Sequence, residues 1–168
     1  VMYGATAPMP ISQSNISALA QTILGEPYGW GGMLDNRDCS MLLRDIFINF
    51  GIVLPRNSAD QASGYKDVSK LNYHEKIQYI KTNAKPWRSV FYMKGHIMLY
   101  VGIDNKSGEI LAMHDAWGIK SFDKSGNEGR AILGGVVITT LEEGSAEDWY
   151  DKEKSPYIKK IIGIKDLF

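Results

Sequence analysis

Two periods of apolar residues divide the chain. In the first half apolar positions recur every three or four residues, as one face of an α-helix requires. Ile16, Leu19, Ala20, Ile23 and Leu24 predict a helix over 15–24, with Ser14 as N-cap and Gly25 as stop. Leu42, Leu43, Ile46, Phe47 and Phe50 predict a second over 39–50, opened by Asp38, a favoured N-cap, and closed by Gly51. The glycines and proline of Glu26-Pro27-Tyr28-Gly29-Trp30-Gly31-Gly32 predict an ordered loop between them. Residues 56–64 read as a turn leading into one or two helical turns, and 71–81 as a weaker helix.

From Val90 the pattern changes. Residues 90–93, 96–103, 110–117 and 135–141 are rich in Val, Ile, Tyr and Thr and read as strands. Asp104-Asn105-Lys106-Ser107-Gly108 is a hairpin loop by composition, so 96–103 and 110–117 pair antiparallel. Helices first and a sheet later predict an α+β fold. Past Glu142, Ile158, Ile161, Ile162 and Ile164 alternate with charged patches, as in a covering segment or a further strand.

Composition narrows the class. The 168 residues suit one domain, read as 14–168, preceded by a linker or extended arm over 1–13 whose start a removed export signal or an upstream domain would explain. Nineteen basic and nineteen acidic residues cancel, so no global field argues for nucleic acid. No apolar run reaches the roughly 18 residues of a membrane span. A single cysteine excludes an internal disulfide and a multi-cysteine zinc site, leaving Cys39 as a buried small hydrophobe or a reactive thiol.

Position favours the second. At the first turn of a helix, unsatisfied N–H groups and the helix dipole stabilise a thiolate, and the same groups stabilise the oxyanion formed when a carbonyl is attacked. His96 opens one strand and His114 lies in its partner, so the proposed hairpin sets nucleophile, base and orienting group in one line. Two sheet histidines satisfied by their neighbours are the bland alternative, and spacing alone leaves both open. His74, in a polar helical stretch, reads as solvated.

Four blocks, Tyr28-Gly29-Trp30-Gly31-Gly32, Asp38-Cys39-Ser40, Leu54-Pro55-Arg56-Asn57-Ser58-Ala59-Asp60-Gln61 and Gly95-His96-Ile97-Met98-Leu99-Tyr100-Val101-Gly102, resemble in content and order the NlpC-type family of bacterial cell-wall cysteine peptidases. The likeness covers roughly 11–141. It implies a papain-like fold with N-terminal helices on an antiparallel sheet, and hydrolysis of peptidoglycan stem peptides or muropeptides at the γ-D-glutamyl–diamino acid bond. By matching position it implies Cys39 as nucleophile, His96 as base and His114 as the residue orienting the base. It further implies Tyr28 near the oxyanion, and Asp38, Ser40 and Ser58 as substrate contacts. No cofactor or metal is implied, and the location implied is the cell envelope, periplasmic or secreted, or the cytoplasm in a recycling role.

Two departures stand out. Met41 replaces a glycine common after Asp-Cys-Ser and could narrow the site. The longer 83–94 stretch replaces a short turn before the histidine strand and resembles the subgroup preceded by bacterial Src-homology-3-like domains, which can restrict cleavage to peptides with a free N-terminal L-alanine. An amidase or acyltransferase on the same fold, or a catalytically silent wall-binding module, are the alternative readings. Trp30 and Trp117 read as core ahead of walls of a peptide groove, Arg130 as a solvated charge ahead of a partner for a substrate carboxylate, Lys159 and Lys160 as solvated charges, and Gly31-Gly32 lacks the flanking residues of a phosphate loop.

Overall fold

The computed structural model describes residues 8–122, 125–141 and 157–168. Helix α1, Gln13–Gln21, starts two residues before the predicted position, because the Ser12 hydroxyl rather than that of Ser14 accepts the Asn15 N–H, at 3.1 Å. The expected arm over 1–13 is therefore helical from Gln13. Its residues 1–7 lie outside the described part, and Met9 packs on the core with its N–H on the Asn49 carbonyl.

Helix α2, Cys39–Phe47, is capped by Asp38 as expected and runs on as a 3-10 turn, Ile48–Phe50, ended by Gly51 in the left-handed region. Helix α3 is Ser58–Gln61 and strand β1 Lys66–Asp67. Helix α4, Tyr73–Asn83, begins two residues late, where Asn72 and Glu75 form a reciprocal capping box.

The strands are β2 (Ser89–Met93), β3 (His96–Ile103), β4 (Ile110–Phe122) and β5 (Glu128–Thr140), followed by helix α5 (Tyr157–Lys160) and strand β6 (Gly163–Asp166). The four strands expected from the sequence all form, and the 104–108 loop joins β3 to β4, with the Asp104 carboxylate accepting from the N–H groups of Lys106 and Ser107. Strands β4 and β5 run further than expected. Beyond Trp117 they continue as a ribbon that pairs Lys120 with Arg130 and Ile119 with Ala131, with Ile119 packed on the core. The six strands are antiparallel neighbours in the order β1-β6-β2-β3-β4-β5.

Apolar groups cover both faces of the sheet. Leu42, Leu43, Ile46 and Phe47 of α2 pack with Val90, Ile97, Leu99 and Met113 on one face. Ile80 of α4 and Ile158 of α5 pack with Phe91, Met98, Tyr100 and Ala112 on the other. Burial of that apolar surface, at ~25 cal/mol per Å², fixes where α2 starts relative to the strands, and so where Cys39 sits. The Lys76 ammonium, buried under the closing segment, donates to the carbonyls of Lys159 (3.0 Å) and Ile161 (2.7 Å) and ties α4 to α5.

Candidate active site

Asp38 holds the end of α2 rigidly. Its Oδ1 accepts from the N–H groups of Ser40 and Met41, the Ser40 hydroxyl and Nη1 of Arg56, while Oδ2 accepts Nη2 of Arg56 at 2.6 Å. Burial works against this charge. The Arg56 guanidinium and the helix N–H groups prevail, and the carboxyl titrates below its usual range.

Cys39 follows at the helix start. The N–H groups of Ile97 and Ser40 point at its sulfur, which brings the thiol against the first residues of β3. A helix N-terminus by itself depresses a thiol pKa, but here burial pushes Cys39 up to about 11, with the charges of Asp38 and Asp115 adding to the rise. The helix dipole and two N–H groups are outweighed by the loss of water around the sulfur.

Strands β2 and β3 meet in a tight hairpin pairing Met93 with His96, and Gly95, at φ 81°, supplies the left-handed residue the reversal needs. Leu99 faces Met113 across β3 and β4, so one residue on Met98 faces His114, and His96 and His114 are diagonal neighbours on one face. Nε2 of His96 lies 3.0 Å from Nδ1 of His114, and Nε2 of His114 lies 2.8 Å from the Thr139 hydroxyl on β5. The Tyr157 ring covers the pair, near-parallel to His96 and edge-on to His114. Burial lowers His96 to about 4 and, with His96 beside it, takes His114 well below its ordinary value, so both imidazoles rest neutral.

Tyr28 reaches the same place by another route. Residues 25–28 run along β5, where the Tyr28 N–H bonds Gly134 and the Val136 N–H bonds Glu26. The approach depends on Gly135, since a Cβ there would lie 2.2 Å from the Glu26 carbonyl oxygen. Burial, then the nearby Cys39, Asp38 and Asp115, push the Tyr28 phenol up to about 12, so it stays a hydrogen-bond donor.

These elements surround a cleft of about 640 Å³ that Tyr28, Cys39 and His96 line, with His114 behind His96. Asp38, Ser40 and Ser58 do not line it. Ser40 is buried against Asp38 and Arg56, and Ser58 is the first residue of α3. Trp30 and Trp117 are not core, as the sequence suggested, but stand 77% and 53% exposed on the cleft wall. Arg130 and Lys160 also line it. Thr139, Asp115 and Tyr157 escaped the sequence reading. Only Asp115 left a signal there, as a charge inside the apolar run Ile110 to Trp117. Among the described residues no group of three or more His, Cys, Asp or Glu side chains could hold a metal ion.

No curated protein matches the chain. Among solved structures it is similar to an NlpC/P60 endopeptidase from Photobacterium damselae subsp. piscicida, at 28% identity and TM-score 0.83 over 97% of this chain and 40% of that one. It is also similar, in fold, to an NlpC/P60 family protein from Bacillus cereus, at 19% identity and TM-score 0.57 over 94% of this chain and 40% of that one. The chain thus spans about 40% of the length of each. The NlpC/P60 family model matches residues 25–125, a stretch that holds Tyr28, Cys39, His96 and His114, so the chain belongs to the NlpC/P60 family.

Proposed function

We propose that this chain is a cysteine endopeptidase that hydrolyses peptidoglycan stem peptides at the γ-D-glutamyl–diamino acid bond. The observation that carries the reading is the line of hydrogen bonds from His96 through His114 to Thr139, running back from the cleft that Cys39 lines. If His114 donates from Nε2 to Thr139, its Nδ1 accepts from Nε2 of His96, and Nδ1 of His96 is left basic. That nitrogen takes the Cys39 proton as sulfur attacks the γ-carbonyl of D-glutamate. Asp38 already engages the N–H groups of Ser40 and Met41, so the Cys39 N–H and the Tyr28 hydroxyl are the donors assigned to the oxyanion. The imidazolium then protonates the leaving amine, and water, deprotonated by His96, releases the acyl group from sulfur.

In this reading Asp38 and Ser40 act through the helix end they build, and Ser58 contacts substrate only where a peptide extends past the cleft. The cell envelope as location and upstream Src-homology-3-like domains as partners in a longer chain rest on the family resemblance. The test is digestion of defined muropeptides with product masses read by mass spectrometry. Products split between D-glutamate and the diamino acid are expected, and none from Cys39→Ala. Cleavage between sugar and L-alanine would promote the amidase alternative, and intact peptides the binding module.

A further inference from the structure

Three cations of the cleft stand together at one end. Lys120 on β4 lies directly opposite Arg130 on β5, so two positive side chains leave one face of the ribbon as neighbours, an arrangement that is destabilising by itself. The Arg130 stem leans back toward the reacting end, since a Cβ on Gly118 would lie 3.1 Å from its Cγ. Lys160, the last residue of α5, joins them: burial and then the Lys120 charge hold its ammonium below the usual range. All three line the cleft. The exposed Glu128 bridges Lys120 at 2.5 Å, and pairs of that kind are weak in water. Among the described residues neither Arg130 nor Lys160 has a carboxylate partner.

Their place relative to the base decides what they meet. The Tyr157 ring lies 6.2 Å from that of His96, and the Lys160 ammonium lies 5.9 Å from the centroid of Tyr157, so the cation stands one ring beyond the base. His96 protonates the leaving amine, and the departing fragment therefore lies on this side of the sulfur. Asp115, the one carboxylate among the described residues of the cleft wall, stands at the other end, where its charge reaches Cys39. Trp117, three residues before Lys120 on β4, offers exposed apolar surface on the way. A leaving fragment thus meets an apolar strip and then positive charge, which complements a methylene chain or backbone that carries a carboxylate. Arg130 and Lys160 lie outside the stretch 25–125, so the family match by itself says nothing of them.

We infer that Lys120, Arg130 and Lys160 form an anion subsite on the leaving-group side of the cleft, which takes a carboxylate of the fragment released from D-glutamate. This rests on the peptidase reading for which side leaves, and adds the charge that the leaving side must carry. Stem peptides offer two such groups there. One is the α-carboxyl of the diamino acid, and the other, in diaminopimelate, is the carboxyl at the end of the side chain, roughly 7 Å from the leaving nitrogen when extended, the span of two residues of chain.

The test measures binding, so that it does not depend on turnover. Calorimetry on the Cys39→Ala protein uses L-Ala-γ-D-Glu-meso-diaminopimelate and two analogues, one amidated at the α-carboxyl of the diamino acid and one at its side-chain carboxyl. One of the two amidations should weaken binding about tenfold or more, the weight of a charge-assisted hydrogen bond, and its position identifies the carboxylate. Raising the salt to about 0.5 M NaCl should narrow the difference, because exposed charges are screened. Adding Arg130→Gln with Lys160→Gln should erase it, and Arg130→Gln alone, at an exposed position that folding does not need, should narrow it. Equal binding of all three peptides, a difference that survives the double substitution, or no binding at all would overturn the inference. Wild-type hydrolysis of the same peptides reads the other question: cleavage indifferent to amidation keeps the peptidase and removes the subsite, while carboxylate-dependent binding without cleavage does the reverse.

Discussion

At Cys39 a helix N-terminus and two N–H groups pull the thiol pKa down while burial and two carboxylates push it up, and the second set prevails. Alkylation by iodoacetamide should therefore keep accelerating through the alkaline range rather than level off below pH 7, and Asp115→Asn, which removes one opposing charge, should speed it at pH 8. A plateau in mildly acidic buffer would contradict this. Asp115 itself makes a stability prediction with a definite sign. Its folded pKa of about 7 lies above the ordinary 3.8, so the folded protein holds this proton more tightly and loses stability as pH climbs between those values. The gain in Tm from Asp115→Asn should be near zero at pH 4, grow to about pH 7 and stay level above. That Cys39 starts a helix and His96 starts a strand was legible, since Asp38 precedes one and Gly95 the other, but their assignment as a pair rested on the family resemblance. Burial was not legible, and burial is what reversed the expected thiol chemistry.

Among the elements, the hairpins do the positioning. The β3–β4 pairing read from the 104–108 loop put His96 and His114 together, but the register, and with it the diagonal contact, came only from the structure. Thr139 illustrates why: its place opposite Ala112 depends on how β5 slides along β4, which alternation does not set in a strand with polar and apolar residues on both sides. If the relay orients His96, His114→Ala should lower kcat on the order of 100-fold. Thr139→Val should cost about fivefold, one neutral hydrogen bond, and Thr139→Ser should restore it. Steady-state kinetics with circular dichroism as a folding control read both, and equal losses for the two positions would count against a relay. Lys76→Ala should destabilise the fold by roughly 1–3 kcal/mol in urea melts, because it takes the ammonium donor from the Lys159 carbonyl and from the buried carbonyl of Ile161.

For the molecule as a whole, the α+β order of helices then sheet was readable from the change of period at Val90, since each half states its own spacing. The tail was not, because Ile158, Ile161 and Ile164 fill a gap set by the rest of the chain and carry no signal of where they dock. They reach the α4 face of the sheet, and β6 pairs Phe91 with Ile164 on one side and Lys66 with Ile164 on the other. Ending the chain at residue 156 should therefore abolish cooperative unfolding, checked by a thermal melt against the full chain. The same geometry sets an order of events during synthesis. Strands β2 to β5 can zip as they leave the ribosome, each beside its predecessor, but the place between β1 and β2 stays open until residues 157–168 emerge. Tyr157, which shields the histidine pair, arrives with them. Translation thus acts as a timer, and a nascent chain holds Cys39 and its histidines long before it holds a finished site.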